Sequence, residues 1–410
     1  MRNNSRILTL NPEIQEEFSL EQIVLVGAQK MLKMALEAEI QSFLEGHSTL
    51  MDDGKMSIVR NGYNNERAVT IGVGALQVKV PRTRNRSGEA ENFVSTIIPP
   101  YLKRSLKLEE TLPLMYLYGI STKDFVPALE KLLGAGTPGL SASNISHLKK
   151  VWEQEHTDWS TRDLKDEKYC YVWVDGIHFK VRNSSDDLCI LVMMGVDYQG
   201  EKKLIAVESG YRESTDSWAT LLRELKSRGM VCPKLFIGDG ALGFWAAKRE
   251  VYPEAKAQRC WEHKKRNVLD KLPKSVQSQA KSLLNEIQMA PGVSMAIKAI
   301  EKFEGIYDAK YPDAVNCLKK NQEELLAFYE FPAEHWIHIR TSNPIESTFS
   351  TVRLRTKKTR SCGARKTIHS MVFKLLVVAS KRWRKIRAYT MIEKVIDDSV
   401  IFEDGLEKAA

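Results

Sequence analysis

Two aspartates follow apolar runs and could face each other across a sheet. Asp175 follows YVWV, Asp239 follows LFIG, and a glycine comes directly after each of them. Neighbouring strand ends at the carboxyl edge of an α/β sheet would bring these carboxylates close together. Like charges this close are unfavourable unless protons or cations intervene. Oxygen ligands favour Mg²⁺ or Mn²⁺, and the glycine after each aspartate would leave room for a metal or a phosphate to approach. Alternatively, both aspartates are turn residues, because Asp-Gly is a strong turn signal.

A third acid, Glu346, lies in the most basic segment of the chain. Residues 341–390 contain 13 Lys or Arg and only this one acid, a net charge of +12, whereas the rest of the chain sums to −3. A cluster of cations predicts a polyanionic partner, most often nucleic acid. The other interpretation is a solvated helix face.

The segment TSNPIESTFSTVRLRTKKTR (341–360) predicts a helix that opens at Asn343. Its two faces are Ile345, Phe349 and Val352 on the apolar side, and Glu346, Ser350, Arg353 and Lys357 on the polar side. Glu346 could be only the capping-box partner of Asn343. A cap does not explain the basic face, whereas a metal ligand beside phosphate-binding side chains does.

The elements that must position these acids begin at residue 170. Strands are predicted at 170–175, 188–197, 203–208 and 233–238, with a helix at 214–229 and a possible fifth strand at 254–260. Three strands, a helix and a strand ending in an aspartate are the order of a ribonuclease H-like α/β core. Residues 261–338 are almost wholly helical and too long for a connection, which predicts an insertion.

The N-terminal part predicts a mainly helical DNA-binding region. Ser19 and Gln22 form a capping box for a helix over 19–45, and residues 47–67 are polar and turn-rich. A helix, a Gly-rich break and a second helix over 121–152 indicate a helix-turn-helix, or else a plain helical hairpin.

Residues 68–86 predict two short strands that end in alternating arginines. These arginines could follow DNA phosphates, or they could be the solvated face of an edge strand.

The chain resembles the Mutator-like transposases of bacterial insertion sequences. The likeness covers about 40–400 and is carried by VDGIHFKVR, IGDGALGFW, CWEHKKRNVLDKLP and TSNPIESTFSTVRLRTKKTR, with RNGY, VPRTR and LSASNISHL in the N-terminal half. The resemblance implies a DDE transposase on a ribonuclease H-like fold, with Asp175, Asp239 and Glu346 as the catalytic and metal-binding triad. It also implies an all-helical insertion between the second aspartate and the glutamate, which are 107 positions apart.

Cys260 and His263 match the family's Cys-x2-His signature. The pair is half a zinc site, and the nearest candidates for a second half, His335 and His338, are not at ligand spacing. We therefore expect two Mg²⁺ or Mn²⁺ ions and not zinc.

Three further side chains lie near these motifs. Trp245 and Trp261 could stack on bases, but we expect both in the core. Glu213 is expected to begin a helix or support the acids without binding a metal.

The expected reaction is metal-dependent phosphodiester hydrolysis and transesterification on double-stranded DNA, at the element's terminal inverted repeats and at a target. A homodimer on paired ends is the economical arrangement. The side chains expected to contact DNA are Arg353, Arg355, Lys357, Lys358, Arg360, Arg82, Arg84, Lys149 and Lys150. The alternatives are a non-catalytic DNA-binding regulator derived from a transposase and a simple metal-dependent nuclease.

The predicted domains are an N-terminal helical region with a small β-hairpin at 1–105, a helix-turn-helix-like region at 106–160, the catalytic core at 161–265 and 339–392, and the helical insertion at 266–338. Six cysteines without a CxxC pair fit a reducing compartment. No apolar run approaches membrane-span length and the N-terminus lacks a signal-peptide core. We expect a cytoplasmic, nucleoid-associated bacterial protein that does not contact membranes.

Overall fold

The computed structural model describes residues 19–87, 92–105, 115, 127, 129–131, 133, 142–179, 188–210, 212–240, 243–358, 365–397 and 399–408. By its internal contacts the chain divides into two units, Met1–Leu148 and Lys149–Ala410. The domain boundaries drawn from the sequence remain a prediction.

The first unit packs one long helix against small antiparallel sheets. Helix α1 spans Leu20–His47 and begins with the predicted capping box between Ser19 and Gln22. The strands are β1 (Ile58–Tyr63), β2 (Arg67–Ile71), β3 (Gly74–Val78) and β4 (Pro81–Asn85). Strand β1 pairs with β4 and β2 pairs with β3, both antiparallel. The core contains Leu36, Ile40, Val69, Leu76 and Val78.

Residues 47–67, expected to be polar and turn-rich, contain a strand that was not predicted, because Ile58–Tyr63 forms β1. Only Ile58 of this strand is buried, so its side chains lack the apolar alternation from which a strand is recognised.

Of the predicted helix-turn-helix, the first helix lies largely outside the described residues and the Gly-rich break wholly so. The second helix is α2, Ala142–Ser160, which extends eight residues past its predicted end.

The second unit is built on a five-stranded mixed sheet. Its strands are β5 (Tyr169–Phe179), β6 (Leu188–Asp197), β7 (Lys202–Gly210), β8 (Leu235–Gly238) and β9 (Lys256–Arg259), in the order β7-β6-β5-β8-β9. Strands β5, β6 and β7 pair antiparallel, while β8 runs parallel to β5, and β9 parallel to β8.

The prediction that Asp175 ends a strand is wrong, and so is its interpretation as a turn residue. Strand β5 continues through Asp175 to Phe179 because the long β6 pairs with it over this whole length. On its other side, β5 pairs only with the four-residue β8, which stops at Gly238. Asp175 therefore lies where the sheet loses a strand on one side, and Asp239 directly follows the end of β8.

Two helices cover the sheet near these acids, α3 (Thr215–Ser227) and α4 (Phe244–Val251). They contribute Trp218, Leu222, Phe244 and Trp245 to the same core as Val172 and Phe236 of the sheet. Trp245 and Trp261 are 3% and 0% exposed, which confirms that both are core residues.

A block of helices follows the sheet. It comprises α5 (Trp261–Leu269), α6 (Lys274–Gln288), α7 (Val293–Tyr307), α8 (Pro312–Lys319), α9 (Gln322–Leu326) and α10 (Trp336–Ile339), with short 3-10 turns at 327–330 and 333–335. The predicted helical character of 261–338 is therefore confirmed.

The chain then returns to the sheet. Helix α11 (Asn343–Lys358) packs against β5, and α12 (Arg365–Ser380) packs against β7. A short helix α13 (Ile392–Ile396) and the hairpin of β10 (Phe402–Glu403) and β11 (Leu406–Glu407) complete the described chain. Among the described residues, no helix is both long and apolar enough to cross a bilayer.

Candidate metal-binding active site

The register of β5 and β8 places Asp175 beside Asp239. The last paired residues of the two strands are Trp173 and Ile237, and each aspartate lies two positions beyond them. Neighbouring strands are about 4.8 Å apart, so equal offsets bring the two aspartates alongside each other. The sheet thus provides the closely spaced pair of carboxylates expected from the sequence.

Glu346 reaches the site from the first turn of α11. Ile345, Phe349 and Val352 are buried as predicted, which fixes the orientation of this helix. Ser342 occupies the cap position, since its carbonyl accepts the backbone N–H of Glu346 at 3.1 Å, and its hydroxyl donates to the Glu346 carboxylate. The predicted cap at Asn343 is therefore wrong by one residue, and Glu346 takes its hydrogen bond from a side chain, not from the Asn343 backbone.

His263, on α5, is the common neighbour of the three acids. Its Nδ1 lies 3.6 Å from Glu346 Oε1. A hydrogen bond with the Cys260 side chain, together with the negative charges of Asp239 and Glu346, raises the pKa of His263 to about 9. The imidazole is therefore cationic at neutral pH, and its positive charge lies among the carboxylates.

The charge of Asp175 is strongly disfavoured. Burial, together with the negative charges of Glu213 and Glu346, raises the pKa of Asp175 to about 7, although the Gly176 N–H and His263 act to lower it. The Gly176 N–H donates to Asp175 Oδ1 at 2.8 Å. With this pKa Asp175 is only about half ionised at neutral pH, and a cation bound among the acids would offset the repulsion that disfavours its charge.

Cys260 is enclosed by hydrogen-bond donors. Its Sγ accepts the backbone N–H of Ser342 at 3.2 Å, and the Ser342 hydroxyl lies 3.1 Å away. Cys260, His263 and Glu346 offer ligand atoms within 4.8 Å of one another. Sequence reasoning missed Ser342, although a hydroxyl directly before Asn343 and Pro344 was a signal for a helix cap.

The two histidines considered for a second half of a zinc site lie in other contacts. His335 bonds the Tyr171 hydroxyl at 2.7 Å, and His338 accepts the backbone N–H of Arg387 at 3.0 Å. The Cys-x2-His pair instead meets Glu346.

The two glycines of the Asp-Gly pairs have different roles. A Cβ at Gly176 would lie 2.1 Å from Glu213 Oε1, so this glycine makes room for a protein carboxylate, contrary to our expectation of an approaching metal or phosphate. Glu213 is held there by His178 at 3.0 Å. Among the described residues, a Cβ at Gly240 would meet only Arg259 Nη1, at 3.9 Å, so this glycine leaves space beside Asp239.

A cavity of about 430 Å³ opens beside Asp239 and Gly240. Its cationic lining comprises Arg259 of β9 and three lysines on or directly after α5 and α8: Lys264, Lys271 and Lys320. Lys264 donates to the carbonyls of Cys317 and Lys320. The cavity therefore leads from Asp239 to a wall of the helical block that carries three lysines and Asp313.

The side chains expected to contact DNA are only partly described. Arg353 and Lys150 are exposed in the second unit, and Arg82 and Arg84 are exposed on β4 of the first. The backbones of Arg355, Lys357 and Lys358 lie in α11, and that of Lys149 lies in α2, but their side chains fall outside the described part of the structure, as does all of Arg360. DNA contact by these residues remains a prediction.

Residues 8–386 match the family described as "Transposase, Mutator family", so the chain belongs to the Mutator family of transposases. This confirms the family inferred from the sequence. The chain is 52% identical over 298 residues to the transposase for insertion sequence element IS6120 of Mycolicibacterium smegmatis, covering 73% of this chain and 92% of that protein. It is 46% identical over 282 residues to the transposase for insertion sequence element IST2 of Acidithiobacillus ferrooxidans, covering 68% and 94%.

Among solved structures, the Drosophila P element transposase strand transfer complex matches 73% of this chain and 89% of that chain, at 10% identity and a TM-score of 0.25. A TM-score this low does not bear on the fold.

Proposed function

We propose that the protein is the transposase of an insertion sequence and that it cleaves and joins DNA strands at a site formed by Asp175, Asp239 and Glu346. The observation that carries this proposal is the convergence of the three acids on one cationic imidazole, His263. The transposases of two insertion sequences are similar to this chain over more than 90% of their own length. DNA ends and target DNA are therefore the proposed substrates.

The proposed architecture is a ribonuclease H-like core with a helical insertion. The sheet order β7-β6-β5-β8-β9, with three antiparallel strands followed by two parallel ones, supports this assignment. The helices from Trp261 to Ile339 lie in the chain between Asp239 and Glu346, where an insertion is expected.

The three acids fit Mg²⁺ or Mn²⁺ better than a softer metal. Carboxylate oxygens are hard ligands, and the sulfur of Cys260 already accepts the backbone N–H of Ser342. A bound ion would supply Lewis acidity to the attacking and leaving oxygens of an in-line phosphoryl displacement.

The chain's own groups hold this site in shape before DNA binds. Ser342 orients Glu346 through its hydroxyl, and the neighbouring strands fix the two aspartates. His263 places a positive charge and an N–H beside the acids, where a phosphate would acquire negative charge during displacement.

DNA binding is assigned to the basic segment 341–390 and to the exposed arginines of the first unit. If about six phosphates are contacted, affinity falls roughly a thousandfold between about 50 and 200 mM salt. The proposal also includes recognition of the element's terminal inverted repeats by this protein, which would act as a homodimer on paired DNA ends.

The test compares the wild type with Asp239→Asn in cleavage and strand-joining assays with Mg²⁺ or Mn²⁺, on DNA bearing the element's own ends. Asn keeps the shape of the side chain and removes its charge. We expect end binding and folding to persist while cleavage and joining are lost.

Two results would redirect the assignment. End binding without metal-dependent cleavage by the wild type would point to a regulator, and cleavage without joining would point to a nuclease. An unchanged rate in Asp239→Asn would refute the metal site.

A further inference from the structure

A buried aromatic–cation pair lies directly behind Asp239. Trp245 of α4 is 3% exposed, and Arg259, the last residue of β9, is 6% exposed. The Arg259 Cζ lies 4.2 Å from the centre of the Trp245 ring, a stacking distance at which cation–π attraction is strong when water is excluded.

Both members of the pair donate to the backbone that carries the acid. The Trp245 Nε1–H donates to the carbonyl of Asp239 at 2.6 Å, and Arg259 Nη1 donates to the carbonyl of Gly240 at 3.0 Å. The carbonyl before them, on Gly238, accepts the Cys260 N–H at 2.9 Å. Three successive carbonyls are thus held from outside the segment, so the orientation of each peptide plane around Asp239 is fixed.

The pair also connects this backbone to the helical block. Arg259 Nε donates to the carboxylate of Glu324 on α9, whose side chain is 26% exposed. The neighbouring Gln258 donates to the carbonyl of Leu325 and accepts the N–H of Phe328. Helix α4, through Trp245, and helix α9, through Glu324 and Arg259, are therefore both connected to the backbone around Asp239.

Core packing alone does not require these bonds. Trp218, of the same core, is 0% exposed, and its ring meets Phe244 edge-on at 5.2 Å, as does that of Trp245. Yet Trp218 Nε1 finds no acceptor among the described residues. A direct phosphate contact by Arg259 is disfavoured by its burial and by its two protein acceptors.

We propose that Trp245 and Arg259 are positioning residues that set Asp239 in its metal-binding orientation and transmit the placement of the helical block, through Glu324, to that carboxylate. This proposal rests on the function proposed above. A freely rotating Asp239 segment would still fold, but it would bind the cation more weakly, because ordering the ligand would then oppose binding.

The matched test is Trp245→Phe against Trp218→Phe, with the same atoms removed from the same core. Cleavage of DNA bearing the element's ends is measured as a function of Mg²⁺ concentration. In Trp245→Phe we expect the half-saturating Mg²⁺ concentration to rise about three- to tenfold, the loss of one hydrogen bond, with a smaller defect at saturating Mg²⁺. In Trp218→Phe we expect wild-type Mg²⁺ dependence.

Arg259→Lys provides a second variant. Lysine keeps the charge facing Glu324 but loses the planar stacking surface and the forked donors. We expect a similar rise in the half-saturating Mg²⁺ concentration, with end binding and the melting temperature close to those of the wild type.

The outcomes separate this proposal from the function on which it rests. If Asp239→Asn abolishes cleavage while both tryptophan variants share the wild-type Mg²⁺ dependence, the metal site stands and the positioning role is refuted. If both tryptophan variants are impaired equally, packing explains the effect and the role is again refuted. If Asp239→Asn cleaves normally, the proposed function itself fails.

Discussion

Two of the clusters of histidine and carboxylate that border the five-stranded sheet have opposite electrostatic character. In the first, His263 lies among the three acids and its pKa is raised to about 9. In the second, His156 of α2 and His369 of α12 meet Glu208 of β7. There, burial lowers the pKa of both histidines, that of His369 to about 4, and raises the pKa of Glu208 to about 7.

The difference follows from what the imidazoles face. His156 and His369 both lie 2.9 Å from the same carbonyl oxygen, that of Val207, so each satisfies it as a neutral donor. Their rings pack edge to face at 4.3 Å and are further enclosed by Phe373. In the second cluster two neutral histidines therefore join two helices to β7, whereas in the first cluster a cationic histidine lies among carboxylates. Similar residue types thus give a structural junction in one place and a candidate reaction site in the other.

The largest effect should come from removing a charge from the first cluster. We expect Glu346→Gln to lower strand cleavage about a thousandfold or more, because one ligand to the cation is lost. The melting temperature of the metal-free protein should stay the same or rise, since a repelling carboxylate is gone. Glu250→Gln, at an exposed glutamate of α4, is the control and should cleave as the wild type does. Cleavage by Glu346→Gln at the wild-type rate would remove Glu346 from the site.

Exchanging a histidine in each cluster tests the contrast directly. His263→Gln should reduce cleavage about a hundredfold, because a preorganised positive charge beside the reacting phosphate is lost. His369→Gln should change the rate of cleavage by less than about twofold, since His369 is a neutral side chain of the second cluster. Both rates are measured in single-turnover assays, with end binding as the check on folding. Equal defects in the two variants would contradict the distinction drawn between the clusters.

The free energy of unfolding should depend on pH through His369 of the second cluster. Because the folded pKa of His369 is depressed, its contribution to stability is complete above about pH 6.5 and is lost as pH falls towards 4. Allowing for the partial exposure of His369, we expect this fall in the free energy of unfolding to be smaller by roughly 2 kcal/mol in His369→Gln than in the wild type. Urea unfolding followed between pH 4 and 7 measures it, and a variant curve parallel to that of the wild type would exclude His369 as the source.

The smallest effect should come from Glu208. Its folded pKa is raised, so its contribution is complete below about pH 4.5 and is lost as pH rises through 7. Glutamine mimics the protonated acid, so Glu208→Gln should already be more stable than the wild type at pH 6, and its margin should grow by roughly 1 kcal/mol between pH 6 and pH 8. The same unfolding series at the two pH values provides the measurement. A variant less stable than the wild type at pH 8 would mean that Glu208 is held as an anion.

The sequence predicted those parts of the second unit that depend on local pattern. The apolar run at 188–197 became β6 over the same residues, and the period of apolar residues in α11 identified its buried face. Asp239 at the end of β8 followed from the run that precedes it.

Features that depend on a distant partner could not be predicted in this way. Asp175 lies inside a strand because β6 extends beside it, and Gly176 is needed because Glu213 approaches it. The contact of Arg259 with Glu324 spans 65 positions and that of Ser342 with Cys260 spans 82, and no local pattern encodes either one. Strand β1 was missed because its exposed side chains carry no period.

The dispersal of the three acids along the chain has a consequence for synthesis. Asp175 and Asp239 meet only through a parallel pairing, which is slow to form because it closes a long loop, and Glu346 arrives 107 residues after the second aspartate. A ribosome-bound chain that ends before α11 cannot assemble the site, whatever it has already folded. A transposase that uses the proposed site would thus acquire its DNA-cleaving activity only near the end of its translation.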